Sequence, residues 1–149
     1  MHICYDDKFV MVEYHGSSDD YEFIRYSNDG VTWTYGDDPN MGNPSGICGK
    51  DGVYVIIDEY SRAYYSTDGG DTWVESSSFH NVFDGHSTRG IGCIDGHFIV
   101  TGFGFSGYSI DGVSWQGSMR NLASTFDVAC GNNIIVAPGT TGKIYFSFY

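Results

Sequence analysis

Seven side chains offer this chain's best means of holding a ligand: Tyr60, Arg62, Phe79, His80, Phe83, His86 and Arg89. They fall in one thirty-residue stretch. Aromatic rings suit the apolar face of a sugar, and planar polar groups suit its hydroxyls. Tyr14 and Tyr21 belong to the same chemistry. Aromatic residues scattered over a surface also occur without any ligand. Residue by residue, the set therefore reads as rim decoration or a protein–protein interface more readily than as a sugar site.

Metal chemistry has a thinner basis. Asp19-Asp20 and Asp37-Asp38 supply the hard oxygen ligands Ca²⁺ takes, but they lack an EF-hand's spacing and read as solvated turns. Cys4, Cys48, Cys93 and Cys130 contain no C-x-x-C pair for zinc. Each cysteine stands just before a turn, as in Ile47-Cys48-Gly49-Lys50-Asp51-Gly52 and Gly92-Cys93-Ile94-Asp95-Gly96. They are one structural position repeated four times. That pattern predicts four reduced thiols, each a small apolar filler between repeats, as a reducing cytoplasm would keep them. No cofactor is expected, with Ca²⁺ at the aspartate pairs left as the alternative.

The elements that must carry these residues are set by a recurring text. Tyr26-Ser27-Asn28-Asp29-Gly30-Val31-Thr32-Trp33 returns as Tyr65-Ser66-Thr67-Asp68-Gly69-Gly70-Asp71-Thr72-Trp73, then as Tyr108-Ser109-Ile110-Asp111-Gly112-Val113-Ser114-Trp115. The tryptophans lie 40 and 42 residues apart. A period near 40 with four short strands per repeat suits a propeller blade. The motif has a local logic. Ser27, Asp29, Ser66, Asp68, Ser109 and Asp111 are placed to bond nearby backbone N–H groups and clamp a turn. Gly30, Gly70 and Gly112 supply the positive φ such a turn requires. Trp33, Trp73 and Trp115 open the outer strand and cover the turn. These twelve residues are assigned to structure, not to catalysis.

The text Ser-x-Asp-x-Gly-x-Thr-Trp, matched in full by residues 66–73, resembles the Asp-box of sialidase-type (BNR) β-propellers. The two shorter copies are similar to repeats of bacterial and phage proteins. The resemblance implies an all-β propeller of four-stranded antiparallel blades, with the boxes away from any active site. It also raises glycoside hydrolysis. A sialidase needs an arginine cluster, a Tyr–Glu nucleophile pair and a carboxylic acid. Here Phe23-Ile24-Arg25-Tyr26 stands where sialidases carry Arg-Ile-Pro. Arg25, Arg62, Arg89 and Arg120 fall at unlike positions of their repeats. The catalytic assignment does not carry over, and a binding or structural module of a larger assembly, such as a phage tail or fibre, is expected instead. A sialidase-like hydrolase fragment is the alternative.

Along the chain, residues 1–149 read as one propeller domain with repeats near 1–44, 45–88, 89–125 and 126–149. The last repeat has Phe148 and Tyr149 where its Asp-Gly should be, so the count is three blades and three strands of a fourth. An open ring exposes an apolar face and a strand edge, which predicts an oligomer or a longer assembly. One end of the ring would carry the Asp-Gly hairpins and the boxes. The other would carry the variable loops, where function concentrates: 15–20, 36–45, 58–62, 76–88, 104–106, 117–125 and 138–142. The net charge of −12 disfavours nucleic acid and anionic membranes. No stretch approaches 18 apolar residues. Residues 1–7 lack a signal peptide's basic and apolar regions. Cytoplasmic synthesis and association with a virion follow as expectations, with a saccharide or a protein as partner.

Overall fold

A computed structural model describes residues 1–14, 22–118 and 124–148. The expected loop at 15–20 with its Asp19-Asp20 pair, Tyr21, Arg120 and Tyr149 lie outside the described residues.

The architecture is that of a β-propeller. Four antiparallel sheets follow one another along the chain. The first holds β1 (His2–Tyr5), β2 (Phe9–Tyr14), β3 (Glu22–Ser27) and β4 (Thr34–Tyr35). The second holds β5 (Pro44–Lys50), β6 (Val53–Asp58), β7 (Ala63–Ser66) and β8 (Val74–Glu75). Helix α1 (Ser77–Phe83) leads to the third, with β9 (Thr88–Ile94), β10 (His97–Gly102), β11 (Ser106–Ser109) and β12 (Gln116–Ser118). The fourth holds β13 (Ala129–Gly131), β14 (Ile134–Pro138) and β15 (Ile144–Phe148). Each sheet is a meander in sequence order. The inner strands pack side by side, β1 against β5, β5 against β9 and β9 against β13.

The hairpins follow from their turn residues. Asp51 and Gly52 have φ of 52° and 77°, and Asp95 and Gly96 have 42° and 74°. Two consecutive positive φ values give the turn whose twist matches a tight hairpin. Asn132 and Asn133 do the same at 50° and 59°, as asparagine tolerates that region better than other side chains.

The core lies between sheets, and strand alternation builds it. On β6, Tyr54 and Ile56 face the first sheet and join Val10, Val12 and Ile24. Val55 and Ile57 face the third sheet and join Phe98, Val100 and Trp115. A smaller cluster of Ile94, Ile99 and Val128 joins the third sheet to the fourth. Each fully buried Ile, Val or Phe contributes about 1.5–3 kcal/mol of transfer free energy.

Two expectations need correction. The connection 76–88 is not a bare loop. Ser76 Oγ caps α1 by accepting from Phe79 N (3.1 Å), and it donates to Val113 O (2.7 Å). The helix drives Phe79 and Phe83 into the core, where Phe79 meets Trp115 edge-on at 4.9 Å. The cysteines are not four thiols. Cys48 and Cys93 form a disulfide between β5 and β9, with Cα atoms 6.3 Å apart. The repeat register does place both at one position, but that register brings neighbouring inner strands within disulfide reach. Cys4 and Cys130 are free and half-buried. Burial, with Asp6 adding to it, pushes the Cys4 thiol up to about 12. The inference of a reducing compartment therefore loses its basis.

Candidate functional site

The Ser-x-Asp turns fix one end of the propeller. In each, the serine hydroxyl donates to the aspartate and accepts from a glycine N–H. Ser27 Oγ meets Asp29 Oδ1 at 2.9 Å and Gly30 N at 2.9 Å. Ser66 Oγ meets Asp68 Oδ1 at 2.7 Å and Gly70 N at 2.9 Å. Ser109 Oγ meets Asp111 Oδ1 at 3.0 Å and Gly112 N at 2.9 Å. Each aspartate then accepts two backbone N–H bonds further on, as Asp68 does from Asp71 N (3.1 Å) and Thr72 N (3.0 Å). Trp73 and Trp115 close their turns by donating Nε1–H to Gly70 O and Gly112 O, both at 3.1 Å. The outer strands consequently begin one residue after each tryptophan. In all three turns one carboxylate oxygen, Oδ1, carries these bonds to the serine and the backbone.

The other end is where the inner strands begin. There a half-open pocket of about 260 Å³ lies between the four sheets. It is lined by His2 and Ile3 of β1, Ser45 to Ile47 of β5, Arg89 and Ile91 of β9, and Phe126 and Asp127 ahead of β13. Close approach of the strands makes it narrow. A Cβ on Gly90 would come within 2.8 Å of the Asp127 backbone, and one on Gly46 within 3.0 Å of Ile91 Cγ2. The Arg89 guanidinium sits 4.6 Å from the Phe103 ring centroid. Phe126 is 55% exposed at the mouth. Burial holds His2 below the ordinary histidine range.

Of the seven residues singled out from the sequence, Arg89 alone lines this pocket. Tyr60 is exposed on the β6–β7 loop. Arg62 is committed elsewhere: its Nε donates to Asp58 Oδ2 at 2.7 Å, and Asp58 is wholly buried. His80 faces solvent beside Asp84, with 4.0 Å between Nε2 and Oδ1. His86 packs on Phe105 at 5.5 Å. Phe79 and Phe83 are inaccessible, at 0% and 1% exposure. Sequence reasoning did not single out His2, Phe126 or Asp127, and it included Ser45 only as the end of the 36–45 loop; all four lie at or just before the start of an inner strand.

The arginines do not converge among the described residues. Arg25 lies 3.9 Å from Glu13 on the first sheet, Arg62 pairs on the second and Arg89 stands on the third. Asp38 accepts from Asn40 N at 2.8 Å, a local turn bond. Among the described residues no three His, Cys, Asp or Glu side chains gather as metal ligands. Among the described residues no helix is long and apolar enough to cross a membrane.

Comparison with protein-family models gave no match, and comparison with curated proteins gave none. Solved structures do match. YCF48 bound to D1 peptide is similar over 98% of this chain and 47% of its own, with TM-score 0.63 and 16% identity. A nidogen/laminin complex is similar over 93% of this chain and 56% of that one, with TM-score 0.68 and 16% identity. The computationally designed Ika4 protein is similar over 99% and 89%, with TM-score 0.68 and 12% identity. At these identities the likeness is one of fold. The chain spans about half the length of the YCF48 chain it matches.

Proposed function

We propose that this chain is a non-catalytic recognition module of the Asp-box propeller kind, holding a peptide segment of a protein partner at the axial pocket, within a larger assembly such as a phage tail or fibre. The observation that carries this reading is the pocket itself. It collects residues from the inner strands of three sheets and from the segment leading into the fourth, and it sits at the end whose loops differ from repeat to repeat. A concave site with a few convergent polar groups is the usual form of a ligand site. Propellers of this fold are found with a D1 peptide and in a nidogen/laminin complex, which supports peptide or protein as the ligand class. The dispersed arginines speak against the sialidase-like alternative. A saccharide is the second reading, favoured by the exposed Phe126 face at the pocket mouth.

A random peptide library and a glycan array, both probed with the purified chain, test the reading. Peptides are expected to bind, and Arg89→Ala with Phe126→Ala is expected to abolish that binding. A charge at Val31, exposed beside a Ser-x-Asp turn, should leave it unchanged. Loss of binding through Val31→Lys alone would move the functional surface to the opposite end. Binding to glycans only would select the second reading, and turnover of a fluorogenic sialoside would select the hydrolase.

A further inference from the structure

We propose that the axial pocket selects an uncharged side chain that both donates and accepts hydrogen bonds: the carboxamide of a glutamine or asparagine on a partner peptide. This rests on the reading of the pocket as a peptide site.

Two permanent charges line the pocket, Arg89 and Asp127. They belong to neighbouring walls, since a Cβ placed on Gly90, the residue after Arg89, would fall 2.8 Å from the Asp127 backbone. Yet they make no ion pair with each other, and no other ion pair engages either among the described residues. Arg89 is instead propped on the Phe103 ring. Asp127 Oδ1 accepts from its neighbour Val128 N at 2.8 Å, an oxygen with a second lone pair left. His2, held below its ordinary range, adds little positive charge at neutral pH. A carboxylate entering here gains Arg89 but meets Asp127. An ammonium gains Asp127 but meets Arg89. A carboxamide satisfies both, its carbonyl accepting from the guanidinium and its NH₂ donating to the carboxylate. Ile3, Ile47 and Ile91 supply apolar wall for the methylene stem. The volume, about 260 Å³, is below that of sites for drug-sized ligands and suits one side chain.

The test uses the N-acetyl, N′-methylamide derivatives of Gln, Glu, Lys and Leu, with methyl glucoside as a fifth probe, titrated into ¹⁵N-labelled protein. Amide shifts of Gly46, Arg89 and Asp127 report the pocket. The Gln derivative is expected to bind about fivefold or more tightly than the others, as one lost hydrogen bond implies. Asp127→Asn should turn the preference to Glu, and Arg89→Gln should turn it to Lys. Both positions are exposed, so the variants should keep the parent's dispersed spectrum. Tightest binding of Glu or Lys by the parent, an unchanged ranking in both variants, or no shift with any probe would each overturn the proposal. Tightest binding of the glucoside would overturn it in favour of a sugar site. If library peptides bind at the pocket without regard to Gln or Asn, the peptide reading stands and this inference alone falls. If they bind elsewhere, both fall.

Discussion

Cys48 and Cys93 stand 45 residues apart in sequence and are joined by a disulfide across the boundary between the second and third sheets. The bond adds a covalent tie between β5 and β9, which also meet through side-chain packing and a Ser45–Thr88 hydroxyl contact, and it closes a long loop. In the chain-entropy account, closing a loop of that size removes about 4 kcal/mol of freedom from the unfolded chain. Two consequences can be measured. Alkylation in denaturant without reductant should add two labels, from Cys4 and Cys130, and four after reduction. Four labels without reduction would mean the bond is absent. The Cys48→Ala, Cys93→Ala double variant should unfold at a clearly lower urea concentration than the parent.

Ser66 and Asp68 share one turn but not one environment. Ser66 is 1% exposed and satisfies the buried Gly70 N–H, whereas Asp68 is exposed. Truncating a buried hydrogen-bond partner costs about 1–3 kcal/mol, while water replaces an exposed one. Ser66→Ala should therefore destabilise more than Asp68→Ala, and chemical denaturation of the two variants decides it. Equal losses would mean that the carboxylate, not the hydroxyl, holds the turn.

The same turns set an acid dependence. Asp29 is held at about 2, first by the backbone N–H of Thr32 and then by Val31 N and the Ser27 hydroxyl. Asp68 is held at about 2, first by the Thr72 hydroxyl and then by its backbone N–H. For Asp111 burial pushes upward, and the bonds from Ser114 and Val113 outweigh it. A carboxylate depressed in the folded state stabilises fully above its unfolded value, near pH 4, and that contribution drains away as pH falls through the folded value. The melting-temperature gap between the parent and Asp68→Asn should be constant above about pH 5 and close between about pH 4 and 2. A gap that persists at pH 2 would detach the carboxylate charge from the turn's stability.

These turns were legible in the sequence because their bonds are local, joining residues two to four positions apart. The tryptophan spacing then gave the blades. What escaped depends on how distant strands meet. His2, Ser45, Arg89 and Asp127 come from four separate repeats, and no short window contains two of them. Only Arg89 was found, through its residue type. The pairing of Cys48 with Cys93 likewise needed two strands side by side. Helix α1 did leave a trace: Ser76 is a cap residue, and Phe79 and Phe83 have the i, i+4 spacing of one helical face. A repeat made only of strands gave no place for it, so two core rings were read as a ligand surface.

Asp58 and Arg62 also show how a residue with binding chemistry is taken up by the scaffold. Asp58 is 0% exposed, yet every bond it needs is at hand. Its carboxylate accepts from Gly42 N (3.1 Å), Tyr60 N (2.9 Å), Arg62 N (2.9 Å) and Arg62 Nε (2.7 Å). Its carbonyl oxygen accepts from the Thr88 hydroxyl, which ties the loop to β9. Arg62 lies between the Tyr60 and Tyr64 rings, 5.7 and 5.8 Å from their centroids. The two partners are not equivalent. Removing Asp58 leaves several backbone donors and a guanidinium without their acceptor, and breaking a buried pair in this way costs about 3–5 kcal/mol. Removing the Arg62 side chain leaves the carboxylate with three N–H bonds, so the loss should be smaller. Asp58→Ala is therefore expected to unfold well before Arg62→Ala in a denaturant titration. The order is the informative quantity. If Arg62→Ala proves the more damaging, the guanidinium is what keeps the buried charge tolerable, and the backbone donors are secondary.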